Sequence, residues 1–349
     1  MKRVLAAVLL LALAGGGWAA WTYGRPLLAF RDTPHGSADE KVVEIPAGAS
    51  AHAAVRLLAR AGVLSDERVA WWYVRWVKRD HRPMRAGEYA FSGALLPDGV
   101  LERLYRGEVR LHRFTVPEGL RADEIAEIVG RSGLARAEDF LAVARDPAVA
   151  SAAGVPFPSL EGFLFPDTYA FAKGVTARAI ADAMVDRFKQ EWLRADARRG
   201  PGVDLDLARA TILASIIEKE TGQPDERPRI SCVFHNRLRL GMKLQTDPTV
   251  MYATRLRTGR WSKNISKADL LAPHPYNTYT TAGLPPGPIA NAGAAAIEAA
   301  LAPAACNDLY FVSRNDGTHV FCPDLRCHSA AVREWQVEYF RKARAAAAR

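Results

Sequence analysis

The sequence predicts an α+β protein in three successive parts: an apolar N-terminal helix, a small α+β unit and a larger α+β domain. Three observations lead to this prediction. Residues 4–23 contain no charged side chain. Residues 42–112 alternate short apolar runs with amphipathic segments at helical spacing. Residues 113–349 repeat this mixture on a larger scale and include a loop-rich stretch at 241–291.

Composition narrows the class of protein. With 49% hydrophobic and 24% charged residues among 349, the chain can bury a large core. Four cysteines are too few for a small disulfide scaffold, and 26 Gly with 21 Pro exclude a collagen-like chain. The net charge of +9 comes from basic residues scattered along the chain, so we expect no nucleic-acid partner.

The first part is long enough to cross a membrane. Residues 4–23 would span about 30 Å as a helix, which is the thickness of the hydrocarbon core. The basic residues before it predict that 1–3 stay in the cytoplasm, with Trp18, Trp21 and Tyr23 at the far interface. The alternative is a signal peptide cleaved at 12–14 (Ala-Leu-Ala). Both alternatives place the body in an oxidising compartment.

The elements of the small unit follow a polar segment. Residues 24–41, with Pro, Gly and Ser, predict a stem. Strands are then predicted by β-branched and aromatic runs, and helices by apolar residues at helical spacing. The strands are 42–45 and 87–91, and the helices are 51–61, 67–78 and 100–105.

The larger domain is predicted by the same patterns. A strand at 109–116 leads into it. Apolar periodicity predicts helices at 121–132, 137–145, 177–194, 207–221 and 294–301, and a basic helix at 329–349. A hairpin pairs 308–313 with 318–322 through an Arg-Asn-Asp-Gly turn.

Common catalytic motifs are absent from the sequence. It contains no Gly-rich phosphate loop, no H-E-x-x-H and no G-x-S-x-G. Its eight histidines have no ligand spacing. We therefore expect no cofactor and no metal.

The helix at 207–221 holds the strongest catalytic candidate. Its apolar stripe consists of isoleucines and a leucine, and Glu220 borders that stripe. Glu218 lies on another face with Thr211, Ala214 and Ser215, whose small side chains leave room for a substrate. The alternative is a solvated helix end, since Glu-Lys-Glu is a common surface string.

The segments after this helix are rich in amides, hydroxyls and aromatic rings. They run through 234–252, read as a loop, and 276–291. Sugars need directional hydrogen bonds and apolar ring faces, so this composition is typical of a sugar site. The alternative is a turn-rich structural segment in which Asn and Thr cap helices.

Four strings resemble one known family. They are 215–221 (SIIEKET), 160–171 (LEGFLFPDTYAF), 244–252 (LQTDPTVMY) and 276–291, and they resemble the endolytic murein transglycosylases of the MltG/YceG-like family. The resemblance covers nearly the whole chain. One departure is Ala292, where the family usually has Pro.

The resemblance implies an architecture and a location. It implies a single-pass anchor at 4–23 in the cell inner membrane and a body in the periplasm. It further implies a LysM-like peptidoglycan-binding unit at 42–112 and a catalytic domain at 113–349. Its partners would be peptidoglycan glycan strands, with peptidoglycan synthases as candidate protein partners, and it would trim newly made strands near the membrane.

The resemblance also implies a reaction. Glu218 matches the catalytic glutamate, and the bond cleaved is the β-1,4 link between N-acetylmuramic acid and N-acetylglucosamine. The muramyl C6 hydroxyl attacks its own anomeric carbon and leaves a 1,6-anhydro end. One carboxyl, first acid and then base, is sufficient for this chemistry. Burial would raise its pKa, and Glu218→Gln should abolish turnover with little change in stability.

Several further residues are candidates for the substrate site. We expect Asp247 either to stabilise oxocarbenium charge or to cap a turn, and Glu161 either to line the cleft or to bind backbone. Phe163, Phe165, Tyr169 and Phe171 are expected in the core. The residues expected to orient substrate are Gln245, Thr246, Tyr276, Asn277, Tyr279 and Asn291.

Two other functions remain open at this point. One is a non-catalytic peptidoglycan-binding membrane protein, which would not respond to replacement of Glu218. The other is a lysozyme-type hydrolase with Asp247 as nucleophile or base, which would leave reducing ends.

The chain contains four cysteines, at positions 232, 306, 322 and 327. Cys322 and Cys327 lie at the end of the predicted hairpin, and an oxidising compartment favours a local disulfide between them. The alternative is a metal site with His319 and His328. Cys232 is expected to be a small buried hydrophobe, and Cys306 has no assignment.

Overall fold

The computed structural model describes residues 2–80, 82–261 and 264–341. The chain divides into two compact units, one formed by residues 1–112 with 170–174 and the other by 113–169 with 175–349. The predicted mixture of helices and short strands is confirmed.

The first unit begins with a long helix. Helix α1 (Lys2–Ala19) continues through a π-helical turn (Ala20–Gly24) into α2 (Arg25–Asp32). Together Val4–Asp32 form a helix long and apolar enough to span a membrane. The apolar side chains of its first part are exposed, as a lipid-facing surface requires.

The predicted stem is folded rather than extended over much of its length. Phe30 of α2 is buried, and its ring centroid lies 5.6 Å from that of Tyr73. The His35 N–H donates to the Leu95 carbonyl at 2.8 Å. Leu27 also packs against the same core. The sequence did not reveal α2 because the Pro, Gly and Ser residues of this segment suggested a stem, whereas Pro26 stands in the first turn of α2, where proline is favoured.

The rest of the first unit surrounds one small sheet. Strand β1 (Lys41–Ile45) pairs antiparallel with β2 (Gly87–Phe91). Between them lie α3 (Ala51–Arg60) and α4 (Glu67–Trp72), the latter extended by a π-helical turn at Tyr73–Lys78. Helix α5 (Pro97–Arg106) follows. The core contains Ile45, Val55, Leu58, Tyr89 and Leu104.

A second two-stranded sheet pairs β3 (Leu111–Thr115) with β4 (Thr168–Ala172). Three helices lie between these strands in the sequence. They are α6 (Ala122–Arg131), α7 (Ala137–Ala144) and α8 (Pro147–Ala152).

Helix α10 (Leu207–Glu220) lies at the centre of the second unit. All residues from Ala210 to Ile217 are buried, so protein surrounds most of this helix. Its chief packing partner is α14 (Ala294–Leu301). The other helices of this unit are α9 (Ala177–Asp196), α11 (Arg227–Arg239), α12 (Asp247–Thr258) and α13 (Lys267–Leu271).

The segment 234–252, read as a loop from the sequence, is mostly helical. Phe234 to Leu238 belong to α11, and α12 begins at Asp247. Pro248 stands in the first turn of α12, where proline is favoured because its fixed φ suits a helix start. The Thr-Asp-Pro string was therefore a helix-start signal.

The third sheet is the predicted hairpin, with β5 (Tyr310–Ser313) antiparallel to β6 (His319–Cys322). Helix α15 (Leu325–Val332) and a π-helical turn (Arg333–Glu338) follow. The helix predicted at 329–349 includes residues 342–349, which lie outside the described residues. Two disulfides are present, the expected Cys322–Cys327 and a Cys232–Cys306 bond, so Cys232 is not a lone hydrophobe.

Candidate active site

The last turn of α10 presents two carboxyls on different sides. Residues two apart on an α-helix are separated by about 200° around its axis, so Glu218 and Glu220 face opposite directions. The N-terminus of this helix is fixed by Asp206, whose Oδ1 accepts from the Arg209 N–H at 2.7 Å. Because Glu218 and Glu220 face opposite directions, their carboxyls lie in two different environments.

The small-residue face predicted to admit a substrate is closed. Thr211, Ala214 and Ser215 are all buried. The Ser215 hydroxyl accepts from the Ile289 N–H at 3.1 Å and donates to the Ile212 carbonyl at 2.7 Å. Protein therefore fills the space that the sequence analysis assigned to substrate, because the 276–291 segment packs against this face.

Glu218 takes part in a group of charges that we call the glutamate–arginine clamp (Glu118, Glu218, Arg227 and Gly293). Arg227 Nη2 lies 3.2 Å from Glu218 and 3.5 Å from Glu118. The Gly293 N–H donates to the second Glu218 oxygen at 3.1 Å. The Glu218 side chain is only 6% exposed. Burial raises its pKa, whereas Arg227 and the Gly293 N–H oppose that rise.

Gly293 leaves room for the Glu118 side chain, which a larger residue at this position would displace. A Cβ built there would overlap the carboxylate of Glu118. Beside the clamp, Lys219 Nζ donates to the Gly119 carbonyl at 3.0 Å. These contacts fasten the end of α10 to the 118–119 turn and to the start of α14.

Glu220 lies on the wall of a cavity of about 420 Å³. The Thr246 hydroxyl donates to its carboxylate. Burial raises the pKa of Glu220 to about 7; the negative charge of Asp247 adds to this rise and the Thr246 hydrogen bond opposes it. The other residues that line the cavity are Arg237, Leu244, Gln245, Asp247, Tyr279, Tyr310, Phe311, Ser313, His319, Leu325 and His328.

One wall of this cavity is the turn that starts α12. Gln245 has φ +51°, a left-handed conformation uncommon outside glycine, and its N–H donates to the Thr278 carbonyl at 3.2 Å. Asp247 accepts from the Tyr279 hydroxyl at 2.7 Å. The structure therefore brings four predicted substrate residues to Glu220, namely Gln245, Thr246, Asp247 and Tyr279.

Another part of the cavity wall was not predicted from the sequence. It comprises Tyr310 and Phe311 of β5 and the buried Arg237 of α11. Arg237 donates to the carbonyls of Leu309 at 2.6 Å and Leu244 at 2.7 Å, so its guanidinium joins the hairpin to the 244–247 turn. The adjacent Tyr-Phe pair on a predicted strand was the available signal.

Four other predicted substrate residues lie elsewhere. Asn277 is buried and donates to the carbonyls of Asp269, Leu270 and Ala272. Tyr276 packs against Tyr252 with ring centroids 5.0 Å apart. Neither lines the cavity beside Glu220.

The remaining two are Glu161 and Asn291, which bind backbone and each other. Glu161 accepts from the Ala122 N–H at 3.1 Å and from the Asn291 amide at 2.9 Å. Asn291 also accepts from the Leu164 N–H at 2.8 Å. Burial raises the pKa of Glu161 to about 7. The Asn291 amide and the Glu161 carboxyl thus hold loops in place, which for Glu161 is one of its two expected roles, and a substrate contact by either residue stays a prediction.

The alternative metal site does not form. Cys322 and Cys327 are joined in a disulfide, and His319 Nδ1 lies 2.7 Å from Glu226. His328 packs against the ring of Tyr310. Within residues 2–80, 82–261 and 264–341, no group of three or more His, Cys, Asp or Glu side chains could hold a metal ion.

Comparisons with known proteins agree on one family. Residues 43–334 match the family model of the YceG-like family. A Bacillus subtilis protein named endolytic murein transglycosylase is 30% identical over 330 residues, covering 89% of each chain. A Streptococcus pneumoniae protein of the same name is 28% identical over 337 residues, and the alignment covers 88% of this chain and 60% of that one.

A solved structure agrees with these sequence matches. The crystal structure of a YceG-like protein from Listeria monocytogenes matches with a TM-score of 0.54 at 30% identity. The match covers 84% of this chain and 99% of that chain. The family resemblance read from the four sequence strings is thus confirmed.

Proposed function

The chain belongs to the YceG-like family, and on that premise we propose that its Glu220 is the acid and base of a peptidoglycan lytic transglycosylase. The lytic transglycosylase activity follows from the murein transglycosylases that it resembles over 89% of its length. The substrate is therefore the glycan strand of peptidoglycan. Two carboxyls at the end of α10, Glu218 and Glu220, are the candidates for the chemistry.

One observation supports Glu220 in this role. Its carboxyl borders a cavity, and burial raises its pKa to about 7. A general acid works best with a pKa near the working pH, because it must hold a proton and also release it. Glu218 instead binds Arg227 and the Gly293 N–H, two donors that stabilise its ionised form. The prediction from the sequence that Glu218 is the catalytic glutamate stays a prediction, and the experiment below distinguishes the two carboxyls.

The reaction we propose consumes no water. Glu220 donates its proton to the glycosidic oxygen as the bond from that oxygen to the muramyl anomeric carbon breaks. The Glu220 carboxylate then accepts the proton of the muramyl C6 hydroxyl, whose oxygen bonds to the same carbon. This leaves a 1,6-anhydro end and restores the acid. Since nucleophile and electrophile belong to one sugar, the attack has the high effective molarity of an intramolecular step.

The cavity walls have matching roles in this proposal. Asp247 faces Glu220 closely enough to raise its pKa, so its charge keeps the acid protonated and can stabilise a developing oxocarbenium ion. Tyr279 orients Asp247 through its hydroxyl. Tyr310 and Phe311 line the cavity and would give a sugar ring an apolar contact.

The location is also proposed. We place the N-terminal helix in the cell inner membrane and the body in the periplasm, an arrangement supported by the apolar span and by two disulfides. Residues 42–112 would be a LysM-like unit that binds glycan, supported by their own hydrophobic core. Release of newly made strands near the membrane, in contact with peptidoglycan synthases, would follow.

The experiment is mass analysis of the sugars released from nascent, un-crosslinked peptidoglycan. The full chain in detergent is compared with Glu220→Gln and with Glu218→Gln as its matched control. We expect anhydro-ended products from the wild type and the near-complete loss of them with Glu220→Gln.

Other outcomes would change the proposal in defined ways. Loss with Glu218→Gln but not with Glu220→Gln would return the catalytic role to Glu218. Reducing ends would indicate a hydrolase of lysozyme type, with Asp247 as its second carboxylate. Binding without any product would favour a glycan-binding protein.

A further inference from the structure

An exposed aromatic and basic surface lies on the first unit, at the end of α4 and in the π-helical turn after it. Trp76 is 58% exposed and Val77 46% exposed. Arg75 and Arg79 are exposed beside them, and the Arg75 guanidinium lies 5.1 Å from the Trp76 ring centroid. An exposed apolar surface surrounded by cations is typical of an interaction site.

The anchor helix sets the position of this surface. The ring of Tyr23, at the end of the apolar span, lies 5.3 Å from the ring of Trp72. Leu27, one turn further along the same helix, packs against the core of this unit, where Phe30 is buried. The helix therefore does not swing freely relative to α4, and Trp72 lies at the depth of Tyr23.

That depth is the membrane interface. If residues 4–23 fill the hydrocarbon core, Leu27 lies about 6 Å beyond it. The headgroup region extends roughly 5–7 Å on each side of the core. A cavity of about 320 Å³ lined by Tyr23, Leu27, Trp72 and Trp76 lies at this level.

The charges at this level suit anionic headgroups. Arg25 lies over the Trp21 ring at 4.3 Å, and Arg79 donates to the Trp76 carbonyl at 3.1 Å. Lys78 is turned toward Asp98, with its ammonium 3.1 Å away, so it contributes less. Tryptophan and arginine together are typical of interfacial segments that bind anionic bilayers.

We propose that Trp72, Arg75, Trp76, Val77 and Arg79, the Trp76 surface, bind the headgroup region of an anionic phospholipid bilayer. This second membrane contact holds the first unit against the bilayer, with a lipid chain or headgroup in the Tyr23–Trp76 cavity. The inference rests on the proposed membrane anchoring of residues 4–23.

Photo-crosslinking of the full chain tests the proposal. The photoreactive residue benzoylphenylalanine replaces Trp76, and the chain is reconstituted in vesicles of phosphatidylethanolamine and phosphatidylglycerol. Leu96 is the matched control, because it is 48% exposed in the same unit and its neighbour Leu95 pairs with His35, beyond the end of α2. Trp18, inside the span, is the positive control.

We expect lipid adducts at position 76 to exceed those at position 96 by roughly tenfold or more, since burial of a large aromatic side chain favours the bound state by at least that factor. The combination Arg75→Gln with Arg79→Gln should lower the yield at position 76 in these vesicles.

Three results would overturn the proposal. They are no lipid adduct at position 76 although position 18 is labelled, equal yields at 76 and 96, and adducts with glycan instead of lipid when peptidoglycan is added. Failure to label position 18 would instead refute the membrane anchor itself. The glycan-cleavage assay in detergent is independent of all these results.

Discussion

The two sides of the last turn of α10 differ in almost every physical respect. On one side Glu218 is held by an arginine and a backbone N–H and is almost fully covered. On the other side Glu220 accepts one hydroxyl hydrogen bond and borders a cavity. The two carboxyls are two residues apart, yet Glu218 is bound by protein groups and Glu220 faces a cavity. Environment, rather than residue type, separates the roles that we propose for them.

The largest expected effect tests this difference directly. Glu220→Gln should reduce kcat by about 10²–10⁴, the usual contribution of a general acid or base. Measured near pH 5, where the Glu220 carboxyl is protonated in the folded protein, its stability should stay close to that of the wild type, because the neutral amide fills the same space. Product formation over time and the thermal midpoint are the measurements. A Glu220→Gln chain that keeps the kcat of the wild type would show that Glu220 is not the acid and base.

The clamp side should respond in stability. Arg227→Met leaves the Glu218 carboxyl buried without its cation, which should cost about 3–5 kcal/mol of unfolding free energy. Adding Glu218→Gln to this variant removes the stranded carboxyl and should recover part of the loss. Urea unfolding of the single and double variants measures both changes. Additive losses would show that the two side chains do not stabilise each other.

Glu161 is a second carboxyl whose pKa burial raises to about 7, as for Glu220, but its oxygens bind backbone and Asn291. A carboxyl whose pKa is higher in the folded protein than in the unfolded chain favours folding at low pH. That contribution is lost as the pH rises from about 4.5 to 7.

Glu161→Gln should therefore flatten the pH dependence of stability by roughly 3 kcal/mol between pH 4.5 and 8. Urea unfolding across this pH range is the measurement, with Glu127→Gln on the exposed face of α6 as the control. Parallel curves for the wild type and Glu161→Gln would show that this carboxyl does not titrate in that window.

The smallest effects are shifts in the pH dependence of activity. The rate should fall above about pH 7 as Glu220 loses its proton. Thr246→Val removes a hydrogen bond that stabilises the ionised form, so the alkaline limb should move to higher pH. Asp247→Asn removes a negative charge and should move it to lower pH, each by about one unit. Shifts in the same direction would contradict this assignment.

Much of the fold follows from local sequence. Apart from α2, the strands and helices of the first unit were predicted within a few residues, because their apolar periodicity and the αL glycine that ends α5 are local signals. Helices α11 and α12 were missed because their polar residues resemble those of a sugar-binding loop. Their burial depends on contacts with the hairpin and with Thr278.

The site was only partly predictable for a related reason. The 244–252 and 276–291 strings contain Gln245, Thr246, Asp247 and Tyr279, which were predicted to orient substrate, and these four lie together around Glu220. The choice between Glu218 and Glu220 depends on which side of α10 is covered. That depends on Arg227 and on the 289–293 segment, which are distant in sequence.

The Cys232–Cys306 bond has a consequence for biosynthesis. It joins residues 74 apart, and the segment between them supplies the 244–247 turn and Tyr279. In the exported chain that we propose, this link closes only after position 306 has reached an oxidising compartment. A wall of the cavity is therefore locked after translocation, on the side where the cell wall lies, and a copy retained in the reducing cytosol lacks that lock.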